Sequence, residues 1–189
     1  PKEGPPLLWK KLIGGGHASF TVAGQLAFTL EQQEENEVVI AVSINDGSIK
    51  WSYEYPAKFK EYFGGIGPRT NPLWNDGLLY TMGAMGHLHC FDSNSGKLLW
   101  KKTLTEENKV KPPYWGVSAS PVIHQDKLFV TPGGNQDNAI MALDKKTGEK
   151  KWSTLNGDQT YSTPALLNLS NKLQLVVSVK SKVVGLDPG

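Results

Sequence analysis

The apolar positions of this chain come in short alternating runs punctuated by turn residues, a pattern of strands rather than helices. Ser19 to Val22, Leu26 to Leu30, Val38 to Ser43 and Ile49 to Tyr55 read as four successive strands. Asn45-Asp46-Gly47 supplies the left-handed backbone that a hairpin needs between the last two. The same order returns downstream. One unit covers 17–55, a second 69–104, a third 117–154 and an incomplete fourth 160–189, which stops after three strands. Leu7 to Ile13 (7–13) reads as a single outer strand without the three that should precede it. Only Phe59 to Tyr62 and Thr105 to Lys109 suggest a helical turn.

The units share one motif. Ala142, Asp144, Gly148 and Trp152 are matched by Cys90, Asp92, Gly96 and Trp100, and by Ala41, Ser43, Gly47 and Trp51. A small residue and a glycine leave flat backbone on which an indole can lie. The motif therefore predicts that Trp9, Trp51, Trp100 and Trp152 dock each repeat onto its neighbour. The tryptophans recur at intervals of roughly 40–50 residues, the period of propeller blades. The expected fold is all-β: a β-propeller of four-stranded antiparallel blades, about four of them in a single region spanning 1–189.

Composition narrows the function classes. The 189 residues carry a net charge of only +2, with acids and bases interleaved. Neither nucleic acid nor a membrane surface is an expected partner on that basis. No apolar run is long enough to span a bilayer. Pro1 is not a natural initiator, so an upstream segment is expected to have been removed. The single cysteine, Cys90, excludes an internal disulfide and a cysteine metal cluster, and reads as a small buried hydrophobe.

The sequence Ala142-x-Asp144-x-x-Thr147-Gly148-x-x-x-Trp152, with its two upstream counterparts, resembles the tryptophan-docking motif of the PQQ-like β-propeller repeat family. Gly86 to Asp92 and Gly116 to Pro121 are similar to bacterial proteins called BamB-like or PQQ-binding-like. The resemblance implies a parent propeller of seven or eight blades, of which about half is here. It also implies two function classes. One is a non-catalytic protein-interaction or assembly scaffold of the bacterial cell envelope, in the periplasm or otherwise extracytoplasmic. The alternative is a fragment of a PQQ-dependent quinoprotein dehydrogenase, which would hold PQQ and calcium and oxidise alcohols or sugars. Many such alcohol enzymes carry an adjacent cysteine pair, and this chain has none. Its aspartates fall mostly in turns, where they cap backbone. The scaffold is the expected function, with no catalytic, cofactor-binding or metal residues.

Candidate contact residues follow from the repeat alignment. His17, Arg69, Ser118 and Tyr161 precede equivalent first strands and are expected to line an axial channel, where they would suit a small anionic or polar ligand. The loops Tyr53 to Pro68 and Glu106 to Trp115 are long for blade connections, and Tyr114 and Trp115 make the second a candidate interaction loop. His87 and His89 share one strand face but have no third metal ligand nearby in sequence. Gly64-Gly65-Ile66-Gly67 reads as a flexible inter-blade loop. Expected partners are other envelope proteins, or a second copy joined through open blade edges.

Overall fold

The computed structural model describes residues 4–189. Pro1, at the start of the sequence, falls outside them.

Three four-stranded antiparallel sheets and one three-stranded sheet follow one another along the chain. The first holds β1 (Thr21–Ala23), β2 (Leu26–Gln33), β3 (Asn36–Ser43) and β4 (Ile49–Pro56). A small hairpin, β5 (Lys60–Glu61) and β6 (Gly65–Ile66), comes next. The second blade is β7 (Leu73–Asn75), β8 (Leu78–Met82), β9 (His87–Asp92) and β10 (Leu98–Thr103), followed by a single helical turn, α1 (Leu104–Glu107). The third is β11 (Val122–His124), β12 (Lys127–Val130), β13 (Ile140–Asp144) and β14 (Lys150–Thr154). The last three strands are β15 (Ala165–Leu169), β16 (Lys172–Val179) and β17 (Lys182–Leu186). Within each sheet every strand pairs with its sequence neighbour, the meander of a propeller blade.

The middle strands read as continuous apolar runs because both faces are covered. Leu79 and Phe91 of the second blade point to Phe28, Leu30, Val39 and Tyr55 of the first. Tyr80, Leu88 and Cys90, one residue out of phase, point to Leu128, Val130 and Leu143 of the third. Phe129, Ile140 and Ala142 pack on Leu175, Val177 and Val179 of the fourth. The core is thus a series of slabs between blades.

Three of the four tryptophans fasten these slabs in one repeated way. Trp9 lies against Gly47, Trp51 against Gly96 and Trp100 against Gly148; a Cβ on those glycines would come within 2.6, 2.6 and 2.8 Å of an indole carbon. Each indole N–H donates to the carbonyl three residues before that glycine: Ile44 at 2.8 Å, Ser93 at 2.9 Å and Lys145 at 3.3 Å. The glycines sit at φ of 68–74°, which only glycine adopts without strain. Trp152 packs with Phe129 and the edge of the fourth sheet. The small residue of the motif has another role than expected. Ala41, Cys90 and Ala142 stand directly across the ladder from Trp51, Trp100 and Trp152 of their own blade, beside a register shift that leaves Lys50, Leu99 and Lys151 unpaired. This bulge turns each indole toward the next blade.

Two expectations need correction. Residues 7–13 form no strand; Leu7, Leu8 and Leu12 are exposed, and only Trp9 is docked. Without a third strand beside it, the segment has no ladder to complete. Phe59 to Tyr62 is not helical but enters the β5–β6 hairpin; the turn expected at 105–109 overlaps α1, which starts one residue earlier.

Candidate interaction site

The turns that receive tryptophans lie at one end of the blades, with the β1–β2, β7–β8 and β11–β12 turns. The connections between blades must therefore lie at the other end. There the first strands stand side by side and are stitched in sequence. The Ser19 N–H donates to Asn71 Oδ1 (2.9 Å), the Asn71 N–H to Ser120 Oγ (2.9 Å) and the Ser120 N–H to Thr163 Oγ1 (3.0 Å). These four residues lie two positions after His17, Arg69, Ser118 and Tyr161, so the alignment of the units on these residues is a true structural equivalence.

The hairpin β5–β6 is held down by two of the channel candidates. The Arg69 guanidinium donates to Gly67 O, to Gly65 O (3.3 Å) and to Glu61 Oε1 (3.4 Å), and lies 4.6 Å over the Phe59 ring. The Arg69 and Glu61 side chains are 8% and 5% exposed. Burial lowers the Arg69 pKa while the Glu61 carboxylate opposes that shift. Glu61 also accepts the N–H groups of Phe63 (2.6 Å) and Gly64. The His17 ring reaches Gly64 O, and its backbone N–H donates to Pro68 O at 2.7 Å. The glycine-rich stretch expected to be flexible is therefore an anchored turn. Both terminal nitrogens of Arg69 are thus engaged by the hairpin and the residue after it.

What the hairpin presents is aromatic. Tyr62 and Phe63 at its tip are 87% and 79% exposed, with their rings 5.1 Å apart. Across from them Tyr114 and Trp115 are 63% and 49% exposed. The Trp115 ring lies 5.3 Å from the Tyr161 ring, and the Trp115 backbone N–H donates to the Tyr161 hydroxyl at 3.4 Å. The Ser118 hydroxyl donates to Tyr161 O at 3.2 Å. An open cleft of about 400 Å³ lies between the two tips, lined by His17, Glu61, Phe63, Gly64, Arg69 and Trp115. His17 and Arg69 thus meet Trp115 in one place, and Ser118 and Tyr161 support Trp115 from behind.

Two buried groups were not anticipated. Glu37 of β3 accepts the Tyr55 hydroxyl (2.6 Å) and the Ala84 N–H (2.9 Å) of the next blade, and burial raises its pKa. A Cβ on Gly83 would collide with its carboxylate. Glu37 closes the polar stretch Gln32 to Asn36 and directly precedes the apolar run Val38 to Val42, so nothing in the sequence set it apart from the loop acids. His89 of β9 is 3% exposed, 4.4 Å from the Tyr55 ring, and its Nδ1 has no partner. Burial, with smaller contributions from His87 and Lys101, lowers its pKa to about 3. Among the described residues no group of three or more His, Cys, Asp or Glu is placed to hold a metal ion.

Residues 36–189 match a family model described as outer membrane protein assembly factor BamB. The chain belongs to the BamB family. BamB of Shewanella oneidensis is 21% identical over 83% of this chain and 39% of that protein. The 1-butanol dehydrogenase (quinone) of Thauera butanivorans is 29% identical over 57% of this chain and 16% of the enzyme. The crystal structure of BamB from Moraxella catarrhalis superposes with a TM-score of 0.58 and 16% identity, covering 89% of this chain and 44% of that one. The fold is that of a partial propeller, and the chain spans less than half the length of these relatives. No helix among the described residues is long and apolar enough to cross a membrane.

The one carboxylate in the cleft, Glu61, is already bound by Arg69 and two N–H groups. The only thiol, Cys90, is buried between the second and third blades.

Proposed function

We propose that this chain is part of a non-catalytic propeller that serves as an assembly scaffold in the bacterial cell envelope, on the periplasmic or another extracytoplasmic side. It meets partner proteins with the aromatic tips Tyr62-Phe63 and Tyr114-Trp115. The observation that carries the reading is four large aromatic side chains, 49–87% exposed, on loops held by polar contacts. Aromatic anchors on a rigid frame are the usual core of a protein interface. Membership of the BamB family supports it. A photo-crosslinker placed at Tyr62 or Trp115 of the full-length protein should trap envelope proteins in living cells. At Asn94, an exposed turn residue at the opposite end, it should not. Equal trapping at both ends would refute the reading.

A second reading, part of a quinoprotein alcohol dehydrogenase, is favoured by the 29% identity to the butanol enzyme. It requires ligands from outside these residues. Calcium-dependent dye reduction by the full-length protein after adding PQQ would establish it.

A further inference from the structure

Another cavity, of about 340 Å³, lies where the end of β4 meets β9, β10 and α1. His87 and His89 both line it. They are two apart on β9 and so share one face of the sheet, with ring centroids 6.4 Å apart. Metal–nitrogen bonds of about 2 Å put two imidazoles on opposite sides of one ion roughly 6 Å apart, centre to centre. His87 also lines an adjoining cavity of about 370 Å³, and Met85 lines that cavity too. His87 is common to both and joins Met85 to His89.

Two observations point to a ligand. The His89 side chain is 3% exposed and reaches this cavity, yet its Nδ1 has no partner. A buried polar atom left so costs free energy until something binds it. The His87 Nδ1 is met by the Thr103 hydroxyl at 3.3 Å. Such an outer contact orients an imidazole and leaves its other nitrogen for a metal.

The donor set selects the ion. With no trio of His, Cys, Asp or Glu among the described residues, a hard or borderline dication lacks the ligands it needs. Imidazole and thioether together suit Cu(I). Charge agrees. Lys101 and Lys102 line one cavity with Glu106 and Glu107, and Lys109 and Lys111 line the other with Glu106. The surplus is positive, so a singly charged ion is repelled less than a doubly charged one. Cys90, the other soft donor nearby, alternates to the opposite face and is buried against the third blade.

We propose that Met85, His87 and His89 form a binding site for a soft monovalent metal ion, Cu(I), between the first and second blades. The site needs neither of the functional readings above.

The test titrates the anaerobic full-length protein against the coloured Cu(I)–bicinchoninate complex. The wild type should withdraw one more equivalent of Cu(I) than His87→Gln. His87 is half-buried at the start of β9, so that variant should fold, and circular dichroism checks that it does. Thr103→Val should weaken binding about tenfold or more, as loss of an outer contact does. Met85→Leu should remove the sulfur neighbour from the copper X-ray absorption spectrum, and Cys90→Ala should bind as the wild type does. Equal uptake by the wild type and His87→Gln overturns the proposal. So does loss of the ion in Cys90→Ala, which would make the thiol the ligand. Zn(II) held as tightly as Cu(I) overturns the choice of a soft monovalent ion, and a wild-type spectrum without sulfur overturns the role of Met85.

Discussion

Replacing Gly96 by Ala tests the docking geometry most directly. Two penalties are expected, and the structure separates them. The first is backbone strain: φ is 72° at Gly96, and a side chain in that region costs about 1–2 kcal/mol. Gly77 has φ of 79° with nothing within 4 Å of an added Cβ, so Gly77→Ala reports this first penalty alone. The second is specific to docking. The new methyl group would stand 2.6 Å from Trp51, which must retreat to at least the 3.4 Å of ordinary contact. That movement breaks the 2.9 Å bond to Ser93 O, worth about 1 kcal/mol. It also loosens an indole whose ring centroid lies 5.8 Å from both Phe28 and Phe91, and a gap of this size forfeits about a quarter to a half of each contact. The excess over Gly77→Ala should be about 2–3 kcal/mol by these same contributions. Urea unfolding followed by circular dichroism measures both variants. In a Trp51→Ala background the excess should disappear, since nothing remains to be displaced. Equal destabilisation by Gly96→Ala and Gly77→Ala would refute the docking argument.

Other consequences can be measured singly. The folded-state pKa of His89, about 3, lies below its unfolded value, so the unfolded chain takes up the proton first. Stability should therefore fall as pH drops below about 6.5, by up to about 1.4 kcal/mol per unit from this group, and His89→Gln should flatten that slope in urea titrations at pH 4–7. Burial pushes the Cys90 thiol up to about 12, so a thiol reagent should modify it only at denaturant concentrations that unfold the protein. Arg69→Met leaves Glu61 buried without its cation. The loss should be about 3 kcal/mol, the low end for a broken buried pair, because two N–H groups remain on the carboxylate. Chymotrypsin should then cut at Tyr62 or Phe63 much faster than in the wild type.

The fold was legible because the motif that builds it is local and repeated. Strand, turn glycine and tryptophan lie within eleven residues of each other, and three copies exposed the period. The motif placed each tryptophan on a neighbouring repeat, and the structure identifies the residue that receives it. Trp51 and Gly47 are neighbours in sequence, yet Trp51 docks on Gly96. The segment 7–13 has the same Leu-Leu-Trp-Lys-Lys order as β10, but a strand is a relation between two segments, and its partner is not in the described chain. The site was legible only in part. Alignment of the units singled out His17, Arg69, Ser118 and Tyr161 as channel residues, and loop length with aromatic content singled out Tyr114 and Trp115. Their roles depend on Glu61 and the hairpin, whose order comes from Arg69 crossing back to it. Gly64-Gly65 reads as loose until that guanidinium is in place.

The bonds from Ser19 to Asn71, Ser120 and Thr163 reach only one neighbour at a time. A unit copied in tandem would bring its own donor and its own acceptor, and would join the row without any change elsewhere. Lengthening such an array requires no new invention, only another duplication.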